Sequence, residues 1–339
     1  MNNEIFIEEK KSKTPLIIVS IIVLLMIGLG TYFLVTKVFN KEEKKVEPQK
    51  QEVEKEKITP LMYEITKEGS SNKIYLFGSI HFANISKLEF PNYIMDAYKN
   101  SNYVACEFNI VKFLKEVDTE TLLEDYYYVD GDSLEKHVSS KESYDKIIKF
   151  LSDSFKLQEA QAKILTLSTI DSLITEYIIP KSDIKTAQEG VDTYFLNKAT
   201  EDNKTILEVE SYEFQSNLEK SFPDRVMEIE IIDVIDNMEE GINDLNELYK
   251  YWKEGNEGKL IELLTEIDED DYSKEDLVLI KDYNKKMLDD RNIGMKNKLE
   301  EYFNNNYTVF YMVGAAHLLG DNGIAKLLEN DGYTVKIVK

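Results

Sequence analysis

Two of the three histidines in this 339-residue chain stand in the same short phrase, Gly-x-x-His. Gly78-Ser79-Ile80-His81 follows the apolar run Ile74-Tyr75-Leu76-Phe77, and Gly314-Ala315-Ala316-His317 follows Val309-Phe310-Tyr311-Met312-Val313. A glycine at a strand end lets the backbone turn sharply and come close to a ligand. A histidine three residues on then projects over the strand ends. Glu107 closes a third apolar run, Tyr103-Val104-Ala105-Cys106. An unpaired carboxylate would be costly to bury there, so a metal, an arginine or a hydrogen-bond cluster should accompany it. Two imidazoles and a carboxylate could form a three-ligand divalent-metal site with a position left open for water. On spacing alone a blander reading stays open, with each histidine capping a helix or bonding a loop carbonyl.

Other reactive groups offer less. In an extended segment Cys106 faces away from Glu107 and reads as a small buried apolar residue. His137 lies in a polar stretch and reads as solvent-facing. The sequence contains no Gly-x-Ser-x-Gly elbow, no His-Glu-x-x-His and no phosphate-cradling loop.

The elements that must position these residues follow an α/β grammar at both ends. Met62–Thr66 and Lys73–Phe77 flank Gly69-Ser70-Ser71-Asn72, a hairpin signal. Pro91 opens a short helix with Ile94, Ala97 and Tyr98 on one side, and Tyr103–Cys106 follows as a strand. A strand, a crossover helix and a strand predict parallel pairing. That arrangement places His81 and Glu107 at the carboxyl ends of neighbouring strands, where ligand sites of open α/β sheets occur. Near the C-terminus, Thr308–Val313 reads as a strand, Asn322–Glu329 as a helix and Tyr333–Val338 as a closing strand. Between them, from about 111 to 306, the pattern is mostly helical. Thr205–Val209 interrupts it as a strand, and Gly190 precedes a helix start. The expected fold is α/β, with a mixed, largely parallel sheet built from both ends of the domain around a large helical insertion.

Composition bounds the class. Hydrophobic residues at 42% and aromatics at 11% supply a sizeable core. A formal net charge of -23 argues against a nucleic-acid partner. The single cysteine excludes an intrachain disulfide. After a short polar tail (1–14), residues 15–35 form an uncharged run long enough to span a bilayer at about 1.5 Å per residue. The run exceeds a secretory apolar region and lacks a small-x-small cleavage site, so it reads as an uncleaved transmembrane signal anchor. A charged stalk (36–58) follows, and the folded domain spans 59–339. The expected disposition is a single-pass membrane protein with its large domain outside the cytoplasm. Oligomeric state is left open.

Taken in order, Leu76-Phe77-Gly78-Ser79-Ile80-His81, Val104-Ala105-Cys106-Glu107 and Val313-Gly314-Ala315-Ala316-His317-Leu318 resemble the TraB/PrgY/GumN family, which is related to the Tiki metalloproteases. Gly190-Val191-Asp192 resembles that family's Gly-x-Asp helix start, and Val209-Glu210 with Gln215 its Leu-Glu-x-x-x-x-Gln segment. Tyr251-Trp252-Lys253-Glu254-Gly255-Asn256 is similar to its Trp-x-x-Gly-Asp turn, and Asp290-Arg291-Asn292 to its Arg-Asn signature. Two departures stand out: Asn109 replaces an acid and Asn256 replaces the turn aspartate. The resemblance covers about 59–339.

It implies a divalent-metal-dependent hydrolase, a peptidase acting on extracellular or signalling peptides or proteins. His81 and His317 would hold a Mn, Co, Fe or Zn ion, with Glu107 either third ligand or general base. Arg291 would stabilise an oxyanion, hold a substrate carboxylate, or form a structural salt bridge. Gly78, Gly314 and Glu210 would support the ligands from behind. Two alternatives use the same pocket. One is a non-catalytic protein that sequesters a peptide or other ligand; the other is a metal-free hydrolase with a histidine base.

Overall fold

The computed structural model describes residues 54–117, 125–186, 190–265, 267 and 269–339. The six strands of its main sheet are β1 (Met62–Thr66), β2 (Ile74–Ser79), β3 (Tyr103–Cys106), β4 (Thr205–Glu208), β5 (Val309–Gly314) and β6 (Thr334–Ile337). They lie in the order β4-β3-β5-β2-β1-β6. β4, β3, β5 and β2 run parallel, and β1 and β6 join antiparallel at one side. Every residue of β5 is buried, as suits a central strand covered on both faces.

Two expectations about this sheet need correction. β2 and β3 are parallel but not neighbours, because β5 lies between them. The strand preceding His317 therefore separates those preceding His81 and Glu107. The sheet is also not built from the chain ends alone, since β4 comes from the middle of the sequence and pairs with β3. A further short parallel pair, Glu56–Lys57 with Leu88–Glu89, docks the chain just before β1, and Ile58 is buried beside it.

The helices used below are α1 (Asn92–Asn100), α2 (Lys141–Phe155), α3 (Leu167–Ile178), α4 (Val191–Glu201), α5 (Tyr212–Lys220), α6 (Asp224–Asp236), α7 (Met238–Glu254), α8 (Glu257–Thr265), α9 (Arg291–Asn304) and α10 (Ile324–Asn330). Serine or threonine caps open several of them: Ser140, Thr166 and Ser211 each accept a backbone N–H from the first turn of α2, α3 and α5. Asn256 does the same for α8 through Lys259 N at 3.2 Å, so asparagine keeps the capping function an aspartate would have. Asn109 likewise caps the short helix Ile110–Glu116 through Lys112 N at 3.0 Å.

Trp252 clips α7 onto the sheet: its Nε1 donates to the carbonyl of Gly78 at 3.0 Å, and the Lys253 carbonyl accepts from Thr59 N at 2.6 Å. A buried cluster of Phe77, Tyr98, Phe195 and Phe310 packs α1 and α4 against the sheet, with ring centroids 5.0–5.8 Å apart. Among the described residues no helix is long and apolar enough to cross a membrane. The expected transmembrane segment, 15–35, lies outside the described residues.

Candidate functional site

The carboxyl ends of β2, β3 and β5 converge, and each delivers one predicted residue. Glu107 comes directly off β3 and is 6% exposed. Its Oε1 accepts the backbone N–H of Gly314 at 2.8 Å, and its Oε2 accepts Arg291 Nη2 at 2.6 Å. Of the explanations expected for a strand-end glutamate, the arginine and the hydrogen bonds are both present. β4 continues alongside β3, with Glu210 N donating to the Glu107 carbonyl at 2.7 Å. That contact sets the Glu210 side chain beside Glu107. Arg291 then bridges the two acids, giving Nε to Glu210 Oε1 at 2.9 Å and Nη2 to Glu210 Oε2 at 2.7 Å. Gln215 on α5 adds a 2.7 Å bond to Glu210 Oε2 and lies 3.4 Å from Glu107 Oε2.

Arg291 opens α9 directly after a π turn, Lys285–Asp290. The widened turn leaves the Met287 carbonyl for Arg291 Nη1 at 3.3 Å. With only 3% of its surface exposed, the guanidinium spends its fork on protein groups. Its position is that of a buried salt bridge holding Glu107 and Glu210, not of a fork open to substrate.

His317 sits on the turn Ala315–Leu318 after β5 and is 1% exposed. Asn292 fixes its tautomer. The Asn292 amide nitrogen donates to the Asn322 carbonyl at 2.9 Å, which turns Oδ1 toward His317 Nδ1 at 2.6 Å. Nδ1 must therefore carry the proton, leaving Nε2 as an acceptor. That Nε2 faces Glu107 Oε1 at 3.8 Å, beyond hydrogen-bond reach. Burial, aided by the charge of Arg291, pushes the His317 pKa down to about 3 and keeps the ring neutral.

His81 follows β2, with Nδ1 2.9 Å from Asp192 Oδ2. The other Asp192 oxygen accepts Ser79 Oγ at 2.7 Å. Both residues held by Asp192 thus belong to the first Gly-x-x-His phrase. Asp192 stands in the first turn of α4, where a negative charge suits the helix dipole. Gly190 makes the docking possible, because a Cβ there would lie 1.8 Å from the His81 carbonyl oxygen. Burial lowers the His81 pKa, but the charge and hydrogen bond of Asp192 outweigh it, so the value rises above that of an ordinary histidine. Burial raises the Glu107 pKa, yet Arg291 and the two imidazoles more than reverse this. The carboxyl is held below its usual range.

The glycines act differently from the sequence expectation. Gly78 lies inside β2, and its missing side chain admits Ala315, whose Cα would be 3.1 Å from an added Cβ. Close packing of the two phrases, not a turn, is its use. Gly314 contributes its N–H to Glu107. Cys106 is buried and its thiol pKa raised by burial, as expected of a packing residue. His137 stands apart from the site, stacked on Tyr128 and bonded to Asp132 and Asp224.

A family model described as the TraB/PrgY/gumN family matches residues 61–337. The chain belongs to the TraB/PrgY/gumN family. No curated protein and no solved structure matches it. Each stretch that carried the resemblance to TraB/PrgY/gumN lies within the matched span and contributes to this site or clasps it. Sequence reasoning assigned no role to Asp192, Asn292 or Ser79, although all three lie in stretches that carried the resemblance. Their spacing to the histidines was the missing signal: Asp192 lies 111 residues from His81 and Asn292 lies 25 from His317.

A narrow apolar cavity of about 20 Å³ adjoins His81, lined by Phe82, Ile184, Leu248, Trp252 and Leu264 among others. It has room for about one water. A larger cavity of about 140 Å³ lies by the turn that carries His317, with Leu288, Asp289, Asn292 and Asn322 in its wall.

Proposed function

We propose that the chain is a divalent-metal-dependent hydrolase, a peptidase whose site is His81, Glu107 and His317. The observation that carries this reading is the polarity of the site. His317 Nε2 and Glu107 Oε1, both acceptors, face each other 3.8 Å apart. Around them Glu107 and Glu210 share the Arg291 guanidinium, while Asp192 pairs with His81. Excess negative charge and converging lone pairs in a buried place favour a cation.

The donor set fits such an ion. His81 Nε2, His317 Nε2 and Glu107 Oε1 would hold it, each imidazole being oriented through Nδ1 by an oxygen acceptor, as ligating histidines commonly are. Among the described residues no three His, Cys, Asp or Glu side chains stand grouped as ligands. Binding would therefore draw the donors together. When bound, the ion would supply a more acidic water and a polarised carbonyl.

The chain's own residues do the rest. Arg291, itself held by Glu210, keeps Glu107 ionised and in place, and Gly314 N fixes the direction of Oε1. Asn292 keeps His317 an acceptor at Nε2. Asp192 accepts from Nδ1 of His81 and so keeps Nε2 facing away from α4, where its lone pair would be given to the ion in place of the proton that the charge of Asp192 otherwise favours. Phe82, Trp252 and Leu248 keep bulk water from His81. Mn, Co, Fe and Zn all suit imidazole and carboxylate donors. Peptides or small proteins outside the cell remain the substrates proposed, with the chain anchored to a membrane through residues 15–35.

The test is hydrolysis of a peptide library, read by mass spectrometry, with the parent and with His81→Ala and His317→Ala. Cleavage by the parent and none by the folded variants supports the reading; equal cleavage by all three removes it. A metal-free hydrolase is the second reading, favoured by the His81–Asp192 pair, which has the geometry of a general base and its orienting acid. Turnover that survives complete metal removal would select it. Ligand binding without any cleavage product would select sequestration instead.

A further inference from the structure

Away from this site, three acids of the helical part are buried without an ion pair among the described residues. Asp171 on α3, Glu219 on α5 and Glu230 on α6 are 4%, 7% and 1% exposed. Glu219 Oε1 and Glu230 Oε2 have no hydrogen-bond partner in the interior. The three side chains act on one another: Glu219 bears on Asp171, and both bear on Glu230.

The groups packed around them relieve the charge only at Glu219, where the Ser168 hydroxyl and Lys220 act against the larger effect of burial. From the same helices come Asp233, beside Glu230, and Ser168, which hydrogen-bonds Glu219. Asp125 faces Glu219 as well, and Lys220 is bound to Asp125. Tyr126 and Glu176 lie at the same edge. Lys146 on α2 is paired with Asp236, and Arg225 at the start of α6 with Asp276 and Glu228. Carboxylates in such a place need either a cation or protons. No three of the described His, Cys, Asp and Glu side chains form a ligand group for an ion. Protons would neutralise the unpartnered oxygens without any rearrangement of the helices, and a cation in their place is an arm of the test below.

α5 ties this cluster to the functional site. Gln215 and Glu219 are four residues apart on that helix and share a face. One reaches Glu210 and Glu107; the other reaches the buried acids. α6, which carries Glu230, packs along α3, which carries Asp171.

We infer that Asp171, Glu219 and Glu230 form a proton-held clamp that seats α5 against the Glu107–Glu210–Arg291 group, and that losing its protons loosens α5. Burial raises the pKa of Asp171 and of Glu219 to about 7, and that of Glu230 well above its usual value. Because these folded-state values exceed the unfolded ones, the stability they give is complete below the ordinary carboxyl range. It is lost as pH rises through about 7. The inference does not depend on the hydrolase reading.

The experiment uses the purified full-length chain, with Glu219→Gln/Glu230→Gln and, as a milder comparison, Glu230→Gln. Thermal midpoints are measured from about pH 5 to about pH 9, with amide exchange of α5 corrected for its intrinsic rate. The parent midpoint should fall by at least about 4 °C over that range and α5 protection should fall with it, while the glutamine variants stay flatter in both. Parallel curves for parent and variants overturn the clamp, and unchanged α5 protection in the parent overturns its link to the site. Millimolar calcium or magnesium that restores the parent at high pH but not the variants would also overturn it, showing that the cluster takes a cation in place of protons.

Discussion

Replacing Arg291 with methionine keeps a long side chain and removes the one positive charge that Glu107 and Glu210 share. The three bonds to the acids, of 2.6, 2.7 and 2.9 Å, disappear together with the 3.3 Å bond to the Met287 carbonyl, from a site where the guanidinium is 3% exposed. Breaking a buried ion pair from one side costs about 3–5 kcal/mol, because the remaining charge stays buried without its partner. For a domain of this size that corresponds to a fall of roughly 6–20 °C in Tm.

The loss should depend on pH with a definite sign. In the parent, Glu107 is held below its unfolded pKa, so its contribution is present above that unfolded value and fades as pH falls through the folded one. In Arg291→Met the burial effect is unopposed by the guanidinium and Glu107 prefers its proton. The deficit should therefore shrink toward about pH 4 and widen toward about pH 8. Urea unfolding of both proteins at the two pH values measures it. A deficit below about 1 kcal/mol at both, as for a surface pair, would refute the claim that Arg291 is what holds Glu107 ionised.

Three other substitutions test how the site is assembled. Gly190→Ala places a methyl 1.8 Å from the His81 carbonyl and should cost about 1–3 kcal/mol or more by chemical denaturation, with Asp192 displaced from His81. Asp192→Asn removes the charge that raises the His81 pKa, so an NMR titration should find that pKa lowered. If His81 transfers a proton, the rate of hydrolysis should fall about 10²–10⁴-fold. Trp252→Phe leaves the Gly78 carbonyl without its indole donor and should cost about 1–3 kcal/mol, measured by thermal unfolding.

How much of this was legible in the sequence follows from the range over which each signal acts. Alternation and apolar runs are local, so β1 at Met62–Thr66 and β3 at Tyr103–Cys106 were placed to the residue and the other four strands of the main sheet within two residues, while the two-residue strands Glu56–Lys57 and Leu88–Glu89 are too short to leave such a signal. Pro91 and the apolar face of Ile94, Ala97 and Tyr98 located α1. Strand order is not local. Nothing between Phe77 and Tyr103 indicates that a strand from residue 309 will lie between them.

The site divides in the same way. Strand ends exposed His81, Glu107 and His317 as candidates, and the cost of burying Glu107 foretold a partner without settling which. Arg291 lies 184 residues away, and only the fold brings it there. Asp171, Glu219 and Glu230 were not legible at all. Acids on helices ordinarily mark the solvated face, and the pattern gave no sign that these three point inward.

The proposal under test is that His81 and His317 hold one divalent ion together. Metal content of the purified full-length chain, measured by mass spectrometry on the parent, His81→Ala and His317→Ala, tests it most directly. If the two histidines share the ion, the parent carries about one divalent transition-metal ion per chain and both folded variants lose nearly all of it. A parent that carries no ion after growth and purification with Mn, Co, Fe and Zn supplied, or variants that keep it, would contradict the account.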